Sequence, residues 1–220
     1  MGIDIVDKLT AFAMLGAGWV MWLLVILSVI SLAIVLERTY YLLVSRDDIG
    51  KLKADMLRLL GKGDLEAARK RLDAPKSFEA RVARAGIASV DDGPDAAEDR
   101  MAGEASMAKL NMERNLAFLG TVGNNAPFVG LLGTVIGVIR AFSALNESAG
   151  QVTDSLMSEI GEALVATAIG ILVALPAVAF FNLFSRVIKA RLARADALGK
   201  DLVAYLRGRE NGSAAAEPAE

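Results

Sequence analysis

Hydrophobic positions in this chain gather into three uncharged runs, separated by stretches of mixed polarity. The first run, Leu9–Leu36, is most apolar over Trp19–Leu36 and stops where Glu37 and Arg38 arrive together. The second, Asn115–Ile139, reads NLAFLGTVGNNAPFVGLLGTVIGVI, and the third, Ala163–Ser185, reads ALVATAIGILVALPAVAFFNLFS. At 1.5 Å of rise per residue, each run predicts a helix that crosses a hydrocarbon layer of about 30 Å.

The three runs are not alike. The first is lined with bulky Leu, Ile and Val, and Trp19 and Trp22 stand near one end where an aromatic belt belongs, so it is expected to face lipid. In the third, Ala163, Thr167, Gly170, Ala174 and Ala177 recur every three or four residues and make one face of small side chains. The second carries Gly120, Gly123, Gly130, Gly133 and Gly137, with Gly133 and Gly137 as a GxxxG pair and Gly130 with Thr134 as another small pair. Small faces let membrane helices approach closely, because packing and interhelical hydrogen bonds replace the missing hydrophobic drive. Thr167, Pro176 and Asn182, like Thr121, Asn124, Asn125, Pro127 and Thr134, are groups a lipid-facing anchor would avoid. Both runs are therefore expected to sit against protein.

Between the first two runs, residues 38–114 carry both charge signs and predict a solvated helical bundle. Leu52, Met56, Leu59 and Leu60 keep a helical period, as if the first helix continued into water. Gly61–Asp64 predicts a turn with Asp64 capping DLEAARKRL, Pro75 interrupts, and Ser77 caps FEARVARAGIASV. The acidic DDGPD at 91–95 predicts a loop, and from about Ala96 one helix is expected to run directly into the second span. After the third run, 186–209 predicts a basic amphipathic helix with Ile188, Leu192, Ala195, Leu202 and Leu206 near a heptad stripe, and NGSAAAEPAE a disordered tail. These boundaries divide the chain into 1–37, 38–114, 115–185 with an outer loop at 140–162, and 186–220.

Composition narrows the chemistry. A mean hydropathy of +0.43 is high for an ordinary soluble domain, and a net charge of −2 offers no electrostatic footprint for nucleic acid. The absence of Cys removes disulfides and thiolate metal sites, and the absence of His removes the commonest general base and metal ligand. No cofactor, metal or enzymatic activity is expected. The first apolar run is too long for a signal-peptide core and is expected to be retained. Residues 38–114 hold 15 Lys and Arg and the segment after Ser185 holds 7, against only Lys8 and Arg140 elsewhere. The positive-inside bias then puts the N-terminus and the 140–162 loop outside, and both basic regions in the cytoplasm.

Antiparallel pairing of the second and third helices sets Thr134, six residues before Arg140, level with Thr167, five after Glu162. Both lie roughly 8–9 Å in from the outer boundary. Pro127 and Pro176 also match in level, as do Thr121 and Asn182. Layered threonines admit two readings: a polar-lined interior, or hydroxyls that only bond back to their own helix. Glu162 also admits two: part of an ion entrance, or an acid favoured at a helix N-terminus, as for Glu159. Five residues span about 140° of arc, so Glu162 and Thr167 cannot both point at one axis.

The segments APFVGLLGTVIGV and EIGEALVATAIGILVALPAVAFFNLFSR resemble the MotA/TolQ/ExbB proton-channel family, most closely its three-span TolQ/ExbB branch. The resemblance implies an all-α polytopic protein with three transmembrane helices and a helical cytoplasmic region. It also implies an inner-membrane homopentamer with a pore lined by spans two and three, holding two copies of a single-span ExbD/TolR-like partner. Proton-motive force would then do work on the cell envelope, with an envelope-spanning energy-transducing protein as a further partner. Thr134, Thr167 and Glu162 match the family's characteristic residues, and Gly130, Gly133, Gly137, Pro127, Gly170, Ala174, Pro176 and Asn182 would serve helix packing and partner contact. A non-conducting oligomeric scaffold, or a small transporter whose pore the oligomer supplies, remain as the other classes.

Overall fold

A computed structural model describes residues 16–74, 77–148 and 151–214; for 211–214 it gives the backbone path alone. Lys8, Pro75, the first part of the Leu9–Leu36 run and residues 215–220 of the tail lie outside the described residues. The described chain is all-helical: α1 Gly18–Val44, α2 Ile49–Gly61, α3 Leu65–Asp73, α4 Phe78–Ala88, a 3₁₀ turn Val90–Asp92, α5 Pro94–Glu113, α6 Leu116–Glu147 and α7 Asp154–Ala214. Three stretches are long and apolar enough to cross a membrane, one beginning at Gly18, one over Leu116–Glu147 and one beginning at Asp154.

Several boundaries follow from local chemistry. Asp64 accepts from the Ala67 amide at 2.9 Å and Ser77 from the Ala80 amide at 3.4 Å, as the sequence predicts for both caps. The first helix does not continue through Leu52 as expected. The Ser45 hydroxyl turns back to the Tyr41 carbonyl, and Asp48 caps a new helix by accepting from the Lys51 amide. Nor does the helix from Ala96 run unbroken into the second span. Arg114 is extended and Asn115 sits at φ 63°, a left-handed conformation that Asn tolerates, so α5 ends at Glu113 and α6 begins at Leu116. In the expected 91–95 loop only Gly93, at φ 97°, is a true breaker, and Pro94 is the first residue of α5.

Two expected irregular stretches are helical. The outer loop assigned to 140–162 is mostly the end of α6 and the start of α7; only 148–153 connect them, because nothing between Val138 and Glu147 breaks a helix. Likewise α7 runs unbroken from the third span to Ala214, so the first residues assigned to a disordered tail continue it.

The chain divides into two compact units, 1–36 with 115–183 and 37–114 with 184–220. In the first, Ala17 and, on α1, Val20 and Leu24 pack with Val122, Ala126, Ile136, Val173, Ala174 and Ala177. The opposite flank, with Trp22, Ile26, Val29, Leu32 and Leu36, is exposed, as a lipid-facing helix requires. In the second unit, Leu52, Met56 and Leu60 of α2, Ala68 and Leu72 of α3, and Ala80, Val82 and Ala83 of α4 are buried. The stripe expected on the C-terminal helix is there, with Ile188, Ala195, Leu202 and Leu206 buried and Leu192 half-buried. Met101 of α5 anchors this unit. Its thioether fills the space left by Gly86, where a Cβ would lie 2.6 Å away, and by Gly199, where it would lie 3.2 Å away.

Candidate functional site

The candidate site lies where α6 and α7 approach each other with almost nothing between their backbones. A Cβ on Gly170 would lie 2.7 Å from the Ala126 carbonyl oxygen and 3.0 Å from the Gly130 Cα. One on Gly130 would lie 2.8 Å from the Ala166 carbonyl oxygen and 3.0 Å from the Thr167 Cα. Further along the seam, a Cβ on Gly137 would meet Ala163 Cβ at 2.5 Å, and one on Gly133 would meet Ala166 Cβ at 2.6 Å with Val20 of α1 behind it. Gly120 and Gly123 receive Phe181 and Val178 at the other end. The glycine face of α6 and the small face of α7 therefore pair with each other, and fully buried Ala166 completes that face although the sequence reading omitted it.

This close approach brings the two threonines together. Thr167 Oγ1 donates to the Gly130 carbonyl at 3.1 Å and lies 3.4 Å from Thr134 Oγ1. Thr134 Oγ1 in turn donates to the Leu131 carbonyl of its own helix at 2.6 Å. The two readings of the layer thus divide between the residues. Thr134 back-bonds, as does Thr121 to Ala117, whereas Thr167 reaches across the helix pair. Both threonines are half-buried, at the rim of the seam.

Other expected site residues are placed differently. Ala174 is buried in the core of this unit, Pro127 is half-buried, and Pro176 and Asn182 are exposed. Glu162 is half-buried and makes no hydrogen bond or ion pair among the described residues; its offset of about 140° from Thr167 keeps it away from the threonine pair. The acid that does find a partner is Glu159, which meets Arg140 at 2.7 Å and so joins the ends of α6 and α7 beyond the threonines. From the sequence alone Glu159 has only a dipole role and Arg140 is a loop charge. A basic and an acidic residue on facing helices, each within two turns of the connection, was the available signal.

Polar groups remain on the outer surface of this unit. Asn125 Nδ2 donates to the Thr121 carbonyl at 2.8 Å, while the exposed Asn124 and Asn182 side chains find no hydrogen-bond partner among the described residues. An amide facing hydrocarbon without a partner is costly, so these positions need protein or water against them. No group of acids able to hold a metal occurs among the described residues.

Comparison with known proteins agrees with this geometry. The model of the MotA/TolQ/ExbB proton channel family matches residues 74–197, which include both threonines, the glycine seam and Glu162. Over 91 residues the chain is 43% identical to a biopolymer transport protein ExbB of Xanthomonas campestris, covering 41% of this chain and 36% of that protein. It is 38% identical over 99 residues to the biopolymer transport protein ExbB of Neisseria gonorrhoeae, covering 44% of this chain and 45% of that one. With the Tol-Pal system protein TolQ of Pseudomonas aeruginosa it shares 42% identity over 80 residues, 36% of this chain and 35% of the other. The aligned segments thus span less than half the length of each of these relatives. A family match over more than half of the chain, centred on the packed helix pair, shows that this protein belongs to the MotA/TolQ/ExbB proton channel family.

Proposed function

We propose that the chain is the channel-forming subunit of an ion-driven membrane motor, and not an enzyme. The observation that carries this reading is the meeting of the Thr134 and Thr167 hydroxyls, half-buried at the rim of a seam otherwise built from Gly and Ala. Each hydroxyl both donates and accepts, so the pair offers a water or a carboxylate an exchange of hydrogen bonds at one level of the membrane. The described spans carry no acid between Gly18 and Leu36, between Leu116 and Ile139, or between Ala163 and Ser185, so the titrating group is to be supplied by another chain.

In this proposal five copies surround a pore lined by α6 and α7, which covers Asn124, Pro176 and Asn182. The pore holds two copies of a single-span ExbD/TolR-like partner with one membrane Asp. Glu162 stands at the outer entrance and Thr134 and Thr167 line the path. The complex lies in the bacterial inner membrane with the N-terminus outside and residues 38–114 and 186–220 in the cytoplasm, and it converts proton-motive force into work on the envelope. The test is native mass spectrometry of the full chain in mild detergent, alone and co-expressed with a single-span ExbD/TolR-like protein. Five copies alone, and five with two of the partner, are expected. A monomer or dimer as the dominant species would remove the pore.

A further inference from the structure

We infer that the end of α1 and the stretch of α7 beside it form a site for the phosphate of an anionic phospholipid at the edge of the bilayer. A cleft of about 120 Å³ opens there, with Leu42, Val187 and Ala190 among its walls together with Arg46, Arg191 and Arg194. The spacing repeats: Arg46 follows Leu42 by four residues, Arg191 follows Val187, and Arg194 follows Ala190. On a helix four residues make about one turn, so α7 offers apolar groups and then, one turn further from its span, guanidinium groups, while Arg46 stands two residues beyond the end of α1. The walls are also level with each other, because Arg191 Nη1 donates to Ser45 Oγ at 2.7 Å and Nη2 to the Ser45 carbonyl at 2.5 Å.

The charges are not used up internally. Arg191 is committed, since its guanidinium also donates to both Glu79 oxygens, at 3.0 and 2.9 Å. Arg46 and Arg194 are exposed, and neither side chain has a hydrogen bond or ion pair among the described residues. Two carboxylates share the cleft. Glu79 is neutralised by Arg191, and Asp47 accepts from the Asp48 amide at 2.8 Å, which leaves a net positive site. Arginine forks match the oxygens of a phosphate, and basic clefts beside membrane helices hold anionic headgroups.

Depth selects the source of the phosphate. On α1, Tyr40, Leu43 and Val44 are 72%, 54% and 54% exposed, an apolar surface that belongs in the interfacial layer rather than in water. Arg46 follows Val44 by two residues, directly beyond this apolar surface. A soluble phosphate would find the same arginines but would leave half-buried Val187 and exposed Ala190 without an acyl chain beside them. This inference needs only that α1 and α7 cross the membrane and is independent of any ion path.

The experiment compares lipid retention by the full chain in native mass spectra after exchange against equimolar phosphatidylglycerol and phosphatidylcholine. The wild-type chain is expected to keep phosphatidylglycerol preferentially, and Arg46→Gln with Arg194→Gln to cut that preference by about tenfold. Arg69→Gln with Lys70→Gln, the same charge change on exposed positions of α3, is expected to leave it intact. Equal loss in both double variants would mean general attraction to net charge and would overturn the site. So would displacement of the lipid by millimolar inorganic phosphate, which marks a soluble anion site, or the absence of any preference in the wild-type chain.

Discussion

Thr167 and Thr134, 33 positions apart in sequence, hold their hydroxyl oxygens 3.4 Å from each other across two helices whose backbones nearly touch. The Thr167 proton points to a carbonyl of the opposite helix, Gly130, so this hydroxyl belongs to the seam and not to its own turn. Replacing it with Val keeps the shape and removes the bond. Interhelical hydrogen bonds in membranes are worth about 0.6–1.7 kcal/mol, so Thr167→Val is expected to assemble while melting a few degrees lower. Ion-driven activity per assembled complex is expected to fall at least tenfold in Thr167→Val and to persist in Thr167→Ser, which restores the donor. Full activity in the Thr134→Val, Thr167→Val double variant would remove the pair from the ion path.

Glycine substitutions separate the seam from ordinary helix. At Gly130 and Gly170 an added methyl meets backbone atoms of the facing helix at 2.8 and 2.7 Å, and backbone cannot rotate away. Gly130→Ala and Gly170→Ala are expected to force α6 and α7 apart and to abolish assembly, read as loss of the oligomer peak on size exclusion. At Gly103, inside α5, a Cβ meets nothing within 4 Å. There Gly103→Ala is expected to stabilise by about 0.5–1 kcal/mol through helix propensity alone. Wild-type assembly of Gly170→Ala would show that the close approach is not needed.

The seam was legible because both its ingredients are local. Small residues at three- and four-residue spacing declare a face, and polar residues counted from the charged ends of two adjacent runs declare a level. Hence the meeting of Thr134 and Thr167 and the burial of Ala163, Gly170, Ala174 and Ala177 could be reached from the letters. Capping at Asp64 and Ser77 was legible for the same reason, since a cap is decided within three residues.

What was not legible depends on partners far away in sequence or on competition between neighbours. The stop at Val44 reflects Asp48 capping a new helix, although the apolar period of Leu52 and Met56 suggested continuity. The break at Asn115 is one residue at positive φ, and Arg38 finds its partner in the Asn111 carbonyl at 2.7 Å, a contact across 73 positions. Leaving the hydrocarbon does not end a helix, which is why α6 reaches Glu147 and α7 starts at Asp154 where a loop was expected.

Orientation is open to direct measurement because the chain contains no Cys. Single cysteines at Ala149, between α6 and α7, and at Ala74, just after α3, report on opposite sides of the membrane. With a membrane-impermeant thiol reagent on intact spheroplasts, Ala149→Cys is expected to label and Ala74→Cys to stay unlabelled until lysis. The reverse pattern would invert the positive-inside assignment and place the Arg140–Glu159 pair on the cytoplasmic side.

The ion pair of Glu79 with Arg191 is a different matter from the surface pairs around it. Its side chains are 2% and 6% exposed, against 52% for both partners of Arg84–Asp73. Taking two charges out of water is costly, and their attraction repays it only while both are present and their remaining hydrogen-bonding groups are met. Here they are met: Arg191 holds both Glu79 oxygens and both oxygens of Ser45, and its guanidinium lies 5.7 Å from the Phe78 ring centre. Removing one partner leaves a buried charge alone, so Glu79→Leu and Arg191→Met are each expected to destabilise by about 3–5 kcal/mol. The Glu79→Leu, Arg191→Met double variant is expected to recover most of that loss, because no unpaired charge remains. Arg84→Ala, which breaks an exposed pair, is expected to cost at most about 1 kcal/mol. Thermal unfolding of the four variants in detergent decides the matter. Additive losses in the double variant would mean that the two residues act separately and that the clasp between α4 and α7 is not a coupled ion pair.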